Sequence, residues 1–278
     1  MVQITSLMDD RLTGRKDLLC EHGLSMHVAC HGKNILFDCG SSEKTLYNAQ
    51  KLGLDLSKLD AVVLSHAHYD HAGGFRFLAQ KFPVDRLYTG PGFFAPKYAE
   101  SGSCYKNLSA GFEREFVKEK GIVHRCVEGA EEILPGLWAI SGFPRTEPME
   151  TIPERFLRLT DTGLEPDDFH DEVCLALETD EGLVLLAGCA HPGILNMTRR
   201  VNALLGKPIT AIFGGTHLVE ADAGRIEYTV DALCGLGLKT LGLSHCSGEQ
   251  AEALLRQRKD VAACRLGPGD CVFFAHCG

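Results

Sequence analysis

The chain has no long apolar segment, no excess of basic residues and no paired cysteines, and each absence argues against a class of protein. Its longest apolar run, residues 183–190, is far shorter than the roughly 20 residues that cross a bilayer. The net charge of −9 argues against a broad basic surface for nucleic acid, although a local basic groove stays open. Low-complexity tracts and short repeats are also missing, so we expect one globular unit over residues 1–278.

The 12 cysteines are scattered singly, and none belongs to a C-x-x-C pair. The segment Met1–Asp10 reaches charged residues before any apolar stretch is long enough for export. These features favour a reduced, cytoplasmic protein over a disulfide framework. Most of the thiols are then expected to fill the core as small hydrophobic side chains.

Four side chains that can bind metal follow a strand-like run within the segment Ala61–Gly74. In an extended segment the side chains at i and i+2 share a face, so His66 and His68 can reach one cation together. Asp70 and His71 lie just beyond and can address a second cation. A solvated loop is the alternative, but this combination of residue types and spacings indicates a metal site for zinc, iron or manganese.

Other segments share a family pattern with this motif. They are Glu21–Ser25, Ile35–Gly40, Asn48–Ala49, Leu56–Asp60, Gly188–Gly193, Gly214–Leu218 and His245–Gly248. Together the chain resembles the metallo-β-lactamase superfamily, and within it a branch of metal-dependent hydrolase-like proteins. That branch includes the dihydropterin-ribofuranosylaminobenzene phosphate synthases of methanopterin biosynthesis. The resemblance implies an α/β fold, the four-layer αββα sandwich of the metallo-β-lactamase type.

The remaining pattern predicts hairpins over residues 24–37 and 173–187, joined to an alternation of strands and helices. In the second half, His191, His217 and His245 each follow a predicted strand. Loops at the carboxyl ends of strands are where α/β sheets bind ligands. One such histidine would usually be structural, but three of them beside the first motif predict a shared metal centre.

The resemblance implies a ligand assignment for two ions. One ion takes His66, His68 and a histidine of the second half, for which His191 is the choice; the other takes Asp70, His71 and His245. Many superfamily members have a bridging aspartate where this chain has Cys189. Either the Cys189 thiolate replaces that bridging carboxylate or His191 supplies the contact with the ions. The resemblance also implies a ligand just before the hairpin of residues 173–187, for which Asp171 and His170 are the candidates.

Several residues outside the ligand set are candidates for supporting roles. Asp38 follows a strand, and the resemblance implies that it orients a ligand histidine, although it could be an ordinary turn residue. Asp70 and His217 are candidates for proton transfer, and His217 alternatively lines the substrate pocket. His22 and Arg145 are candidates for substrate binding.

Two long segments allow more than one interpretation. Residues 90–121 are rich in aromatic side chains, which either wall a pocket for a planar substrate or belong to the core. Residues 143–171 are polar and predicted to lack secondary structure. They form either a solvated connection or a lid whose Arg145, Arg155 and Arg158 hold a phosphate or carboxylate.

A binuclear centre lowers the pKa of bound water from about 15.7 toward 7, so it provides hydroxide at neutral pH. This chemistry predicts hydrolysis of a small anionic substrate. His68 favours zinc, because the diiron branch of the superfamily usually has Glu at that position; Fe2+ and Mn2+ are the alternatives. The resemblance to the pterin synthases adds a second hypothesis, transfer of a dihydropterin-methyl group from its diphosphate to an arylamine. A third is a metal-loaded binding protein without turnover. The acidic balance disfavours a nuclease, and a homo-oligomer stays open.

Overall fold

The computed structural model describes residues 1–275, in which strands and helices alternate in both halves of the chain. Within that range no helix is long and apolar enough to span a membrane. The strands are β1 (Val2–Met8), β2 (Ser25–Cys30), β3 (Lys33–Phe37), β4 (Ala61–Val63), β5 (Arg86–Thr89), β6 (Lys97–Ser101), β7 (Cys104–Asn107), β8 (Val123–Cys126), β9 (Ala130–Leu134), β10 (Leu137–Ser141), β11 (Phe156–Thr160), β12 (Gly163–Pro166), β13 (Val173–Thr179), β14 (Gly182–Ala187), β15 (Ile209–Gly214), β16 (Thr240–Leu243), β17 (Ala262–Cys264) and β18 (Cys271–Phe274). The α-helices are α1 (Lys44–Lys51), α2 (Tyr69–Ala72), α3 (Gly74–Lys81), α4 (Arg114–Glu119), α5 (Ile194–Leu205), α6 (Ala223–Cys234) and α7 (Glu249–Leu255).

Two large sheets carry the fold, one from each half of the chain apart from β18. The described part of the first sheet has the strand order β18-β1-β2-β3-β4-β5-β8, and the second has β17-β16-β15-β14-β13-β10-β9. In the first sheet β3, β4, β5 and β8 run parallel, and in the second β14, β15, β16 and β17 do so. Each parallel set therefore presents its carboxyl ends at one edge of its sheet.

The alternation of side chains along the strands produces four layers. On β3, Ile35 and Phe37 point into the core between the sheets, whereas Leu36 packs beneath the helices on the outer face. On β14, Val184 and Leu186 share the central core, while Leu185 lies under the helices of the second half. Helices thus cover the outer face of each sheet, which confirms the expected αββα sandwich.

The local predictions agree well with the observed elements. Both predicted hairpins are present, as β2–β3 and β13–β14, and Gly32 supplies the positive φ of 73° in the first turn. Helix α1 begins at Lys44, and its N-cap residue Glu43 makes no side-chain cap. Helix α5 begins at Ile194, two residues after Pro192.

The prediction of an unstructured stretch over residues 143–171 is wrong. Strands β11 and β12 lie within it, and they join β6 and β7 in a third sheet with the order β12-β11-β6-β7. The pairing of residues 97–99 with residues 156–158 is what holds this small sheet together. It covers the edge of the sandwich at which the histidine loops lie.

Candidate metal centre

Strand β4 brings the first histidine pair to the edge of its sheet. The chain is still extended at His68, with φ −78° and ψ 144°, so His66 and His68 face the same side and their ring centroids are 4.7 Å apart. Helix α2 then begins at Tyr69 and lasts one turn. This short helix places Asp70 and His71 below the pair, where both side chains are buried.

Three parallel strands of the second sheet bring further donors to the facing edge. The loop after β14 carries Cys189 and His191, the loop after β15 carries His217, and the loop after β16 carries His245 and Cys246. All five side chains are buried. The carboxyl ends of β14, β15 and β16 meet at one edge, as expected for parallel strands in an α/β sheet.

The donors of the two halves come together in one cluster. His71 Nε2 lies 3.1 Å from Cys189 Sγ and 3.1 Å from His245 Nε2. The rings of His66 and His191 are 4.9 Å apart. Neither sheet alone holds enough donors for two ions, so the site depends on the packing of both sheets.

Ring nitrogens without hydrogen-bond partners distinguish this cluster from an ordinary polar core. In the described structure His66 Nε2, His68 Nε2 and both ring nitrogens of His191 are buried and unpartnered. Buried polar atoms are almost always satisfied, so several orphans in one place call for a ligand that is not part of the polypeptide. Burial, followed by neighbouring charges, holds the pKa of each of these three imidazoles well below its ordinary value. The neutral form is the one that binds a cation.

Carboxylates fix the orientation of the deeper histidines. Asp38 Oδ2 lies 2.6 Å from His71 Nδ1 and also accepts a hydrogen bond from the Ser65 hydroxyl at 2.8 Å. Asp10 Oδ1 lies 2.7 Å from His245 Nδ1. Both contacts occupy Nδ1 and leave Nε2 directed into the cluster, which is how protein carboxylates orient metal-binding imidazoles.

Asp70 carries its charge at the centre of the site. Its Oδ2 lies 3.3 Å from His245 Nε2 and 3.2 Å from His22 Nε2. Burial by itself would raise the pKa of Asp70, but His71, and then the contacts with His22 and His245, lower it well below its ordinary value. An ionised, buried carboxylate beside imidazole nitrogens is a suitable ligand for a divalent cation.

The backbone at the site adopts a conformation that non-glycine residues rarely use. His217 and His245 have φ values of 48° and 49°, and Ala190, between Cys189 and His191, has 55°. Asp38 shares this left-handed conformation with a φ of 58°. Such conformations are unfavourable and concentrate at functional sites, where the surrounding structure maintains them.

A cavity of about 450 Å³ opens above the cluster. His68, His191 and His217 form part of its floor, and Arg155 and Lys106 lie at its mouth. Arg155 forms a bidentate ion pair with Glu220, whereas the Lys106 ammonium lies over the ring of Tyr69. The aromatic side chains of residues 93–116 mostly pack with Phe75 on the outer face of the first sheet, so they belong to the core and not to this cavity.

Of the residues predicted to have supporting roles, His22 and His217 line the cavity and Arg145 does not. His22 lies at the cavity between Asp10 and Asp70, and these two carboxylates, Asp10 first, raise the pKa of His22 to about 9. His217 also lines the cavity. Arg145 is exposed and does not reach it; its side chain contacts the Glu150 carbonyl oxygen at 3.5 Å.

Asp171 lies outside the cluster of donors. Its Oδ1 binds the Lys97 ammonium at 2.7 Å, and its Oδ2 accepts a hydrogen bond from the backbone N–H of Ala67 at 3.0 Å. His170 is half-exposed and contacts Asp168. Asp171 therefore supports the loop between His66 and His68 from below.

Three buried or half-buried participants are not among the residues predicted from the sequence. Asp10 orients His245, Cys246 lies beside Cys189, and Glu172 Oε1 accepts a hydrogen bond from the backbone N–H of Ala190 at 3.1 Å. Two of them were signalled by their neighbours, since Cys246 follows His245 and Glu172 follows Asp171. Asp10 carried no comparable signal.

Comparison with known proteins agrees with this geometry. Residues 23–196 match the model of the metallo-β-lactamase superfamily. The chain belongs to this superfamily. It is 29% identical over 98% of its length to the 7,8-dihydropterin-6-methyl-4-(β-D-ribofuranosyl)-aminobenzene-5'-phosphate synthase of Methanocaldococcus jannaschii, of which 97% is covered. The match with the family confirms the resemblance inferred from the sequence.

Solved structures place the fold in the same superfamily. The crystal structure of Tm1679, a metal-dependent hydrolase of the β-lactamase superfamily, superposes with a TM-score of 0.85 and 28% identity, covering 99% of this chain and all of that one. A diphosphatase of the PhnP family gives a TM-score of 0.57 and 14% identity over all of this chain and 99% of its own, a likeness of fold alone. The protein is therefore an enzyme of the metallo-β-lactamase superfamily.

Proposed function

We propose that this enzyme uses two divalent ions, zinc in the first place, to hydrolyse a small anionic substrate. The observation that carries the proposal is the set of buried imidazole nitrogens without partners, grouped around one thiol. Cys189 Sγ lies within 4.8 Å of donor atoms of His66 and His191, and equally of His71 and His245. Both groups are buried and open toward the same cavity.

The geometry supports a division of the donors into two sets. His66, His68 and His191 would hold one ion, because their rings converge with centroids 4.7–5.1 Å apart. Asp70, His71 and His245 would hold the other. Cys189, which belongs to both groups, would lie between the ions, in the place of the bridging aspartate that the superfamily resemblance implies.

The chemistry of the donors favours zinc over manganese. Zn2+ binds imidazole nitrogen, thiolate sulfur and carboxylate oxygen, whereas Mn2+ prefers oxygen ligands. Five histidines and one cysteine outweigh the single carboxylate Asp70. Iron, which also accepts imidazole, stays the main alternative.

The bound ions would supply a hydroxide nucleophile at neutral pH and a Lewis acid for the developing negative charge. The chain itself supplies position and proton transfer. His217 lines the cavity and both of its ring nitrogens are unpartnered, so its imidazole can take up or release a proton at the leaving group. The orienting contacts of Asp38 and Asp10 keep the Nε2 atoms of His71 and His245 directed at the ions.

The mouth of the cavity supports an anionic substrate. Replacing Arg155 by Gln is expected to raise KM for a phosphoester about tenfold with little change in kcat, because a hydrogen bond to a charged group contributes about 1.5–3 kcal/mol. The matched control is Arg158→Gln, since Arg158 contacts Asp168 and His170 outside the cavity. A neutral ester assayed with the same variants should show no such increase, and an equal KM for the phosphoester in parent and Arg155→Gln would contradict this role.

Metal content tests the binuclear assignment directly. Protein purified without chelator is expected to contain about two ions per chain, and the His245→Ala variant about one, because only the second set loses a donor. Elemental analysis gives both values. One ion or none in the parent after reconstitution with Zn2+, Fe2+ or Mn2+ would contradict the two-ion centre.

A second candidate function comes from the near full-length similarity to the pterin synthase. There the leaving group would be diphosphate and the acceptor an arylamine instead of water, and the cations at the cavity mouth would hold the diphosphate. Incubating the enzyme with a dihydropterin-methyl diphosphate, with and without an aminobenzene acceptor, separates the two functions. Diphosphate release that requires the amine and gives a coupled product supports transfer, whereas release in water alone supports hydrolysis.

A further inference from the structure

A second group of donors lies in the same cavity and is richer in sulfur than the proposed binuclear centre. The thiols of Cys189 and Cys246 and a ring nitrogen of His217 lie within 4.8 Å of one another. All three side chains are buried, with exposed fractions of 3%, 5% and 8%, and all three line the cavity wall. A small cation can therefore reach them from solvent.

The free nitrogens of His217 indicate that this group is prepared for a ligand. Both ring nitrogens are buried and have no hydrogen-bond partner in the described structure, although the side chain is more than nine-tenths buried. Glu220, the nearest carboxylate, is 4.0 Å from Nε2 and is engaged by Arg155. The ring nitrogen of His217 that carries no hydrogen needs a hydrogen-bond donor or a cation to satisfy it.

The surrounding backbone holds the Cys246 sulfur in place. The backbone N–H of His217 donates a hydrogen bond to Cys246 Sγ at 3.3 Å, a contact that stabilises a thiolate. Gly215 leaves room for that sulfur, since a Cβ at this position would lie 2.5 Å from it. His217 has a left-handed φ of 48°, and both its backbone N–H and one of its ring nitrogens lie near the Cys246 sulfur.

We propose that Cys189, His217 and Cys246 form a second binding site, which shares Cys189 with the binuclear centre and takes a soft, thiophilic cation such as Cu+ or Cd2+. Two thiolates and one imidazole prefer soft cations, whereas the histidine and carboxylate set of the binuclear centre suits borderline ions. The two kinds of site compete, because Cys189 belongs to both. A soft cation bound here removes Cys189 from between the catalytic ions and occupies His217.

This inference goes beyond the proposed hydrolysis and does not depend on it. Thiolate coordination follows from the positions of two sulfurs and one imidazole, whether or not two ions occupy the histidine sets. Measurements of binding can therefore be made without any substrate.

Cd2+ is the probe for this site, because its bonds to thiolate give an ultraviolet charge-transfer band. We expect metal-free, reduced protein to bind Cd2+ with a band of two thiolates, and Cys246→Ser to lose about half of that band and about tenfold or more in affinity. The control is Cys126→Ser, which removes an exposed thiol far from the cavity and should leave the band unchanged. The 113Cd resonance should move in Cys246→Ser in the direction of fewer sulfur ligands.

The outcomes separate this proposal from its alternatives. Equal bands in the parent and in Cys246→Ser would overturn it, because Cd2+ would then bind Cys189 within the binuclear centre alone. Equal losses in Cys246→Ser and Cys126→Ser would also overturn it, as binding by any available thiol. A far-UV spectrum and melting temperature equal to those of the parent show that Cys246→Ser is folded. The His68→Ala variant should keep the two-thiolate band even if it loses the first catalytic ion, so failure of the binuclear assignment is recognised separately.

Discussion

The His68→Ala variant is expected to lose the first ion and roughly a thousandfold or more in kcat/KM. A catalytic metal contributes several kcal/mol to transition-state stabilisation, and each 1.36 kcal/mol changes the rate tenfold. His68 has an unpartnered Nε2 and its ring faces those of His66 and His191, so its removal breaks a set of three imidazoles. Metal analysis and turnover of a phosphoester substrate, measured on the same sample, test whether the two losses occur together.

A histidine outside the site provides the control for this experiment. His124 is partly buried, its Nε2 contacts the Thr89 hydroxyl at 2.8 Å, and it belongs neither to the donor groups nor to the cavity lining. His124→Ala should keep both the metal content and the activity of the parent. A His68→Ala protein with full metal content would contradict the assignment of this residue as a ligand. Full activity with reduced metal content would instead show that the first ion is not needed for turnover.

The sequence predicted the parts of the site that depend on local pattern. His66 and His68 stand two apart after an apolar strand, so the strand geometry alone puts them on one face. His191, His217 and His245 follow strands of a strand–helix alternation, whose carboxyl ends share an edge whenever the strands are parallel. Both arrangements can be predicted from short stretches of sequence. The structure shows the His66 and His68 rings close together and the strands before the three histidines parallel.

The third sheet was not predicted because its pairing is non-local and the sequence signals of its strands are short or absent. Strand β6 pairs with β11 from a segment more than fifty residues away, and the two contain Lys97, Glu100 and Arg158 among their few residues. Strand β6 lacks the alternation of apolar and polar residues that marks a half-buried strand, and β11 shows it only over Leu157–Thr160, which is short for a strand signal. Tertiary packing therefore decides the structure of residues 143–171, and local pattern does not.

Asp10 was missed for the same physical reason. It lies 235 residues from His245 in the sequence, and only the packing of the two sheets brings its carboxylate to the imidazole. Asp171 shows the same dependence from the other side: a carboxylate beside the second hairpin suits a ligand by residue type, but in the structure its Oδ1 pairs with the buried Lys97. Residue type and spacing identify donors, whereas the partner that each donor selects depends on the fold.

That lysine belongs to a buried ion-pair network beneath the candidate metal centre. Lys97 is 3% exposed, and its ammonium lies 2.7 Å from both Asp167 and Asp171, which are each 1% exposed. Burial by itself would lower the pKa of Lys97, but Asp171 and then Asp167 outweigh it and raise that pKa. The ammonium also lies 4.5 Å from the centre of the Phe169 ring.

The network connects the third sheet to both halves of the metal site. Asp171 accepts the backbone N–H of Ala67, which stands between His66 and His68. The Phe169 ring stacks on His191, with centroids 3.7 Å apart and planes inclined by 16°. Loss of the Lys97 charge would therefore disturb the loop of the first histidine pair and the ring of His191 together.

Replacing Lys97 by Met is accordingly expected to lower the free energy of unfolding by about 3–5 kcal/mol, because two buried carboxylates lose their counter-charge. Denaturant titrations with equal slopes measure the change. The control Lys33→Met breaks an exposed pair with Asp60 and should cost less than about 1 kcal/mol. The double variant Lys97→Met/Asp167→Asn lacks one of the two unpaired carboxylates and should recover part of the lost free energy of unfolding. No recovery would mean that Lys97 stabilises the protein through its packing and not through its charge. A Lys97→Met protein as stable as Lys33→Met would show that the network does not stabilise the loop beneath the metal site.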